Sequence, residues 1–153
     1  MDIYSKNPGA AGALSNFYPY QFSFDGVECA SMEGLLQALL VSDVERQKQI
    51  CGMVGREAKD WGAEQLVELG EIRRLWWGGK EYDRYSIEYQ DLIDGMYDAL
   101  AKNQEFKSAL LSTGDELLTH SIASAEGPAE TILTEEEFCL RLMSLRNVLK
   151  ASV

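Results

Sequence analysis

The chain is poor in the residues that usually advertise chemistry: 153 residues hold one histidine, three prolines and three cysteines. The lone His120 has no cysteine or second histidine at ligand spacing, so the sequence gives no support to a metal site. Cys29, Cys51 and Cys139 are odd in number, widely spaced and flanked by apolar residues. That pattern fits reduced, buried thiols in the cytoplasm rather than a disulfide framework. Basic residues are also scarce, with 14 Lys and Arg against 25 Asp and Glu and a net charge of −11. Non-specific nucleic-acid affinity rests on Lys and Arg neutralising phosphates, so this balance argues against an extended nucleic-acid surface. It leaves room for a local basic pocket that takes one small phosphorylated ligand. Apolar runs are short, and none approaches the roughly 20 residues that span a bilayer. Met1-Asp2-Ile3-Tyr4 has neither the basic start nor the apolar stretch of a signal peptide. With no internal repeat and no linker, residues 1–153 read as one cytoplasmic domain, long enough to bury a core. The composition is silent on oligomeric state, and no cofactor is expected.

What the sequence does have is concentrated between Leu14 and Ala38. Gln21-Phe22-Ser23-Phe24 alternates polar and apolar, Asp25-Gly26 is a hairpin turn, and Val27-Glu28-Cys29 alternates again. Ser31 is a good N-cap, after which Met32, Leu35, Leu36, Leu39 and Leu40 recur with the period of an amphipathic helix. At about 100° per residue, Glu33 and Gln37 share one stripe at the edge of the apolar face, half desolvated yet reachable. Gly34 costs a helix roughly 1 kcal/mol relative to Ala, so it predicts a neighbour that needs the space. Upstream, the Gly- and Ala-rich residues 7–13 read either as a surface loop or as backbone able to come close to a ligand.

Further helices are expected from the capping box Ser42-Asp43-Val44-Glu45 to Gly52, over a short piece Gly55–Gly62, and from Glu64 to Leu69. Residues 71–85 lack a clean period; their pair Trp76-Trp77 either covers the core or lines a pocket. Ser86 opens a helix with Tyr89, Leu92, Ile93, Met96, Tyr97 and Leu100 on one face, and Asn103 caps another that ends at Thr113-Gly114. Thr134-Glu135-Glu136-Glu137 forms a capping box for a last helix, with Phe138, Leu142, Leu145, Val148 and Leu149 as its buried face. The predicted fold class is α+β and helix-dominated, with a small N-terminal β element.

These segments resemble the NADAR family (NAD- and ADP-ribose-associated proteins, which include the riboflavin-pathway N-glycosidase). The matching text is Leu14-Ser15-Asn16-Phe17-Tyr18-Pro19, Phe24-Asp25-Gly26-Val27, and Ser31-x-Glu33-x-x-x-Gln37-Ala38. Then come Gly55-x-Glu57-Ala58-Lys59-x-x-Gly62, Met96-x-x-Ala99-Leu100, Leu110-Leu111-x-Thr113-Gly114-Asp115 and Leu142-Met143-x-x-Arg146. The resemblance implies a single NADAR-like domain whose pocket holds a ribose-phosphate, nucleotide or ADP-ribose-type ligand, with N-glycosidic hydrolysis in active members. It places Glu33 as the key carboxylate, since cleavage passes through an oxocarbenium-like centre. Lys59 joins it as a second catalytic candidate. Ser15, Asn16 and Gln37 are expected on sugar hydroxyls, Phe17 or Tyr18 stacked on a ring, and Arg56 with Lys59 on phosphate.

The chain also departs from that pattern. The family's Glu is followed by His, and its Gln-Ala pair by a Lys two residues on, where this sequence has Gly34 and Leu40. A late Trp-Gly-x-Gly-x-Asp segment is replaced by Ser124-Ala125-Glu126-Gly127-Pro128-Ala129-Glu130, in which Glu126 or Glu130 is a candidate substitute carboxylate. Two functions follow: a divergent N-glycosidase-like hydrolase, or a catalytically silent nucleotide-ribose-binding module. A third reading keeps only the fold, as a protein–protein interaction module.

Overall fold

The computed structural model describes residues 1–152. The chain is organised around helix α2, Met32–Ala38, whose seven residues are all buried. The helix is so deeply set that the stripe expected at its edge lies inside: Glu33 is 7% exposed and Gln37 4%. Before α2 come one short turn of helix, α1 (Ala10–Ala13), and an antiparallel hairpin of β1 (Phe22–Phe24) and β2 (Val27–Cys29). Asp25-Gly26 makes the turn with both residues at positive φ. Ser31 caps α2 by accepting the Gly34 N–H at 3.1 Å, while its own hydroxyl donates to the Met53 carbonyl at 2.9 Å.

Helix α3, Val44–Cys51, is capped by Asp43, whose carboxylate accepts the Arg46 N–H at 2.8 Å. The cap is thus Asp43, one residue later than the expected Ser42. The C-terminal turn of α3 presses on Gly34. A Cβ there would stand 2.6 Å from the Met53 oxygen and 2.8 Å from that of Ile50. Backbone, rather than a movable side chain, is therefore what demands this glycine in mid-helix.

Helix α4 runs unbroken over Gly55–Leu69 and merges the two pieces expected from the glycine at position 62. Gly62 lies on its buried face against the Gln37 side chain, so packing outweighs the propensity cost of about 1 kcal/mol. The segment without a clean period is a second hairpin, β3 (Arg74–Trp77) and β4 (Lys80–Asp83), which enlarges the β content beyond the expected N-terminal element. Its turn, Gly78-Gly79, has positive φ at both residues, the two-residue geometry that suits twisted strands. Trp77 is buried and its indole N–H donates to Asp25 at 2.8 Å, so this tryptophan serves the core. Gln47 fastens the hairpin to α2: its amide donates to the carbonyls of Ala38, Val41 and Trp76, and its oxygen accepts the Gly78 N–H.

Helices α5 (Ile87–Leu100) and α6 (Gln104–Ser112) start at the expected caps Ser86 and Asn103. After a single 3-10 turn, Ser121–Ala123, the last helix α7 spans Glu135–Ala151 behind the reciprocal capping box of Thr134 and Glu137. Phe138, Leu142 and Leu145 are buried as expected, but Val148 is 64% exposed. Arg146 is buried in its stead, donating to Thr113 Oγ1 at 2.8 Å and the Glu116 carbonyl at 2.9 Å. A second buried cation, Arg84, forms a fork with both Glu137 oxygens at 2.9 and 2.6 Å and ties the end of the second hairpin to α7. All three cysteines are free and buried.

Candidate functional site

A cavity of about 300 Å³ opens above the N-terminal half of α2, and a narrower recess of about 80 Å³ continues it toward Gln37. Both are lined by Asn16, Glu33, Lys59, His120, Ala123, Glu126 and Phe138, so they form one cleft. Its floor is the sequence-local part. Glu33 stands in the first turn of α2, and its backbone N–H donates to the Asn16 carbonyl at 3.0 Å, which draws the Ser15–Phe17 loop over the helix. The loop is held from below by the Tyr97 hydroxyl of α5, which donates to Asn16 Oδ1 at 2.7 Å. That contact leaves the Asn16 NH₂ without a partner among the described residues, at the cavity wall. Ser15 tightens the loop further by accepting the Phe17 N–H at 3.2 Å.

Helix α4 supplies the positive side. Lys59 lines both parts of the cleft, whereas Arg56 sits at the mouth, 68% exposed, with its guanidinium 5.7 Å from the Phe17 ring and 3.8 Å from Asp60. Glu57 is exposed on the same helix and does not line the cavity. Burial raises the Glu33 carboxyl above its ordinary range; Lys59, the Gln37 amide and His120 oppose that rise, and Glu126 adds to it. Gln37 Nε2 lies 3.4 Å from Glu33 Oε1, and Gln37 Oε1 is buried with no protein partner, at the wall of the narrow recess. A fully desolvated acceptor of that kind carries a cost unless something meets it.

Of the residues singled out in the sequence, Glu33, Lys59, Ser15, Asn16, Phe17, Gln37 and Arg56 converge on this cleft. Tyr18 does not. It is 41% exposed and its ring packs on Tyr20 at 4.4 Å, away from the cavity lining. Leu40 is 4% exposed within the hydrophobic core and is likewise absent from the lining. The segment that replaces the tryptophan-containing motif does bring carboxylates to the cleft: Glu126 lines both parts and Glu130 the recess, where Glu130 also accepts the Gly127 N–H at 3.3 Å.

His120 and Phe138 were not legible as site residues. They come from the last third of the chain, and the contact that places His120, with Ile3, spans 117 residues. A parallel bridge between Asp2 and Thr119 brings residue 120 beside the N-terminal segment. There His120 Nδ1 meets the Ile3 carbonyl at 2.6 Å, its backbone N–H donates to Glu135 at 2.6 Å, and Phe138 meets its ring edge-on at 5.5 Å. The carbonyl has only lone pairs to offer, so Nδ1 carries a proton, and in the neutral ring Nε2 is the bare nitrogen. Among the described residues no group of His, Cys, Asp and Glu is arranged to hold a metal ion, and no helix is long and apolar enough to cross a membrane.

Comparison with known proteins places this architecture. The NMR structure of the Escherichia coli protein YbiA matches with a TM-score of 0.67 at 18% identity, covering 99% of this chain and 85% of YbiA. At that identity the likeness is one of fold, and the fold is NADAR-like, as the sequence motifs implied. In sequence, an uncharacterized 17.1 kDa protein from the Gp30–rIII intergenic region of Enterobacteria phage T4 is 37% identical over 150 residues, 97% of this chain and 98% of the relative. The model of the family described as bacteriophage protein GP30.3 matches residues 9–147. By both measures the chain belongs to the bacteriophage GP30.3 family.

Proposed function

We propose that this protein is an N-glycosidase-like hydrolase that cleaves the bond between a ribose-phosphate or ADP-ribose-type group and a nitrogen leaving group. The observation that carries the reading is the buried Glu33 carboxyl in a cleft whose lining also holds Lys59. Breaking a ribosyl C–N bond leaves electrons on nitrogen and positive charge on the anomeric carbon. A carboxyl that burial makes hold its proton more tightly can give that proton to the departing nitrogen and, once ionised, stabilise the cation it faces. The same low polarity that makes the anion costly at rest strengthens its attraction to the transition state. Lys59 suits the ligand's phosphate within the cleft, Arg56 a second phosphate at the mouth, and Phe17 a flat base beside it. The unpaired amide N–H groups of Asn16 suit a sugar hydroxyl as donors.

A silent binding module is the second reading, favoured by Leu40 in the position where the resemblance places a lysine, since a core leucine cannot react with a sugar. The experiment that separates the two is incubation with nicotinamide mononucleotide and with an ADP-ribosylated arginine peptide, following sugar release by NMR. Hydrolysis of the arginine peptide, whose guanidine takes a proton as it leaves, that disappears in Glu33→Gln supports the enzyme. Calorimetric binding of either compound without turnover supports the module, and neither binding nor turnover discards both.

A further inference from the structure

We infer that His120 is the catalytic base of this cleft: its Nε2 takes the proton of the water that attacks the anomeric carbon. The assignment rests on the hydrolase reading of the cavity and adds the residue that reading lacks. Glu33 as proton donor cannot at the same moment activate water, and Lys59 is a cation.

Three observations converge on the histidine. Its Nδ1 proton is committed to the Ile3 carbonyl at 2.6 Å, which fixes the tautomer and leaves Nε2 with an available lone pair. Its ring packs on a second side against the edge-on Phe138 ring at 5.5 Å, and Glu135 pins the backbone of the residue by accepting its N–H at 2.6 Å. The residue lines both parts of the cleft together with Glu33, so the base and the acid share one cavity. A backbone carbonyl behind Nδ1 does for this imidazole what a carboxylate does in other acid–base sites: it holds the tautomer and the aim. The anchor itself is built in, because Asp2 pairs with Thr119 and accepts both the backbone N–H and the hydroxyl of Ser121, flanking His120 on each side.

The reaction balances without a further reactant. The C–N bond breaks with its electron pair going to nitrogen, which takes the Glu33 proton. Water oxygen bonds to the anomeric carbon and gives one proton to Nε2. The imidazolium then returns that proton to the Glu33 carboxylate across the cavity, directly or through water, and both groups regain their starting states.

The test uses the full chain and the ADP-ribosylated arginine peptide, whose guanidine nitrogen takes a proton as it leaves. His120→Asn retains an N–H for the Ile3 carbonyl and removes Nε2; His120→Gln serves as a second variant, and a thermal melt shows whether each folds. A base predicts a loss in kcat of about 100- to 10,000-fold, with KM nearly unchanged. Added azide, which attacks carbon without giving up a proton, should rescue the variant and yield the ribosyl azide. NMR of the nitrogen-labelled imidazole in the wild-type protein should show the proton on Nδ1. Wild-type hydrolysis that is unchanged in folded His120 variants overturns the assignment and leaves the hydrolase reading standing. Loss of activity without azide rescue, or a proton on Nε2, also overturns it. A wild-type protein that hydrolyses nothing overturns both.

Discussion

Position 62 is a glycine because the Gln37 amide occupies the place of its missing side chain: a methyl there would overlap Gln37 Oε1. The obstacle is the end of a flexible side chain, so Gly62→Ala should fold with the amide pushed aside. The expected cost is about 1–3 kcal/mol, typical of an overpacked core. Removing the amide as well should relieve it, so the double variant Gly62→Ala with Gln37→Ala should be no less stable than Gln37→Ala alone. Denaturant melts of the four proteins check this as a double-mutant cycle.

Gly34 makes the contrasting case. Its neighbours are the backbone oxygens of Met53, Ile50 and Cys51, which no rotamer change can move. Gly34→Ala should therefore cost more than Gly62→Ala, and no side-chain deletion should restore it. Guanidinium unfolding midpoints of the two alanine variants should rank in that order.

Glu33 should lower the stability of the fold near neutral pH. Its folded-state carboxyl is raised above the ordinary range, chiefly by burial. The folded chain therefore holds this proton at pH values where the unfolded chain has released it, and stability falls as pH rises through that interval. Glu33→Gln removes the effect, so the variant should melt higher than wild type at about pH 8, with the gap closing toward about pH 4. Calorimetric melts across that range would show it; a variant that melts lower at every pH contradicts the assignment of a costly buried acid.

Glu137 has the opposite sign. Burial alone would raise its carboxyl, but hydrogen bonds from Arg84, the Thr134 N–H and Gln90 outweigh it and hold the group at about 2. An unfolded glutamate titrates near 4.3. The stabilisation is thus complete above that value and is lost as pH falls from about 4.3 toward about 2. Glu137→Gln would leave Arg84, 1% exposed, without its charge partner, a change that typically costs about 3–5 kcal/mol. The variant should also lose most of the wild-type loss of stability over that acid interval, which acid titration followed by circular dichroism would detect.

The two cations of α4 should separate in a binding experiment. Lys59 stands in the cleft, while Arg56 is 68% exposed at its mouth and screened by water and Asp60. Lys59→Met should weaken binding of ribose phosphate by about tenfold or more, the effect of losing one charge-assisted bond. Arg56→Ala should change that affinity by less than about threefold and act mainly on ligands with a second phosphate. Titration calorimetry with ribose phosphate and with ADP-ribose checks both.

The parts of this molecule that were legible in the sequence are those whose causes are local. Ser31, Ser86, Asn103 and Thr134 each cap the helix they precede, because a cap is a contact within three residues. The floor of the cleft was legible for the same reason, with Glu33 and Gln37 one turn apart. Errors arose where tertiary packing overrides a local signal. Gly62 reads as a break and is a contact, and Val148 reads as core and faces outward. The second hairpin carries a weak local signature, because its strands are four residues each and only half alternate, although Gly78-Gly79 marks the turn. His120 could not have been placed from spacing at all, since its partner Ile3 lies 117 residues away.

That separation has a thermodynamic corollary. The cleft is closed by joining residues from the first third of the chain to the 120–138 region, so an occupant touches both ends of the covalent thread. Any molecule that fits it binds only when the chain has found its long-range topology, and its binding energy adds to the cooperativity of the whole fold. Hydrogen exchange should then slow together at the 3–16 segment, at α2 and around residue 120, rather than at one wall alone. In this fold, occupancy of the site adds its free energy to the closure of the chain.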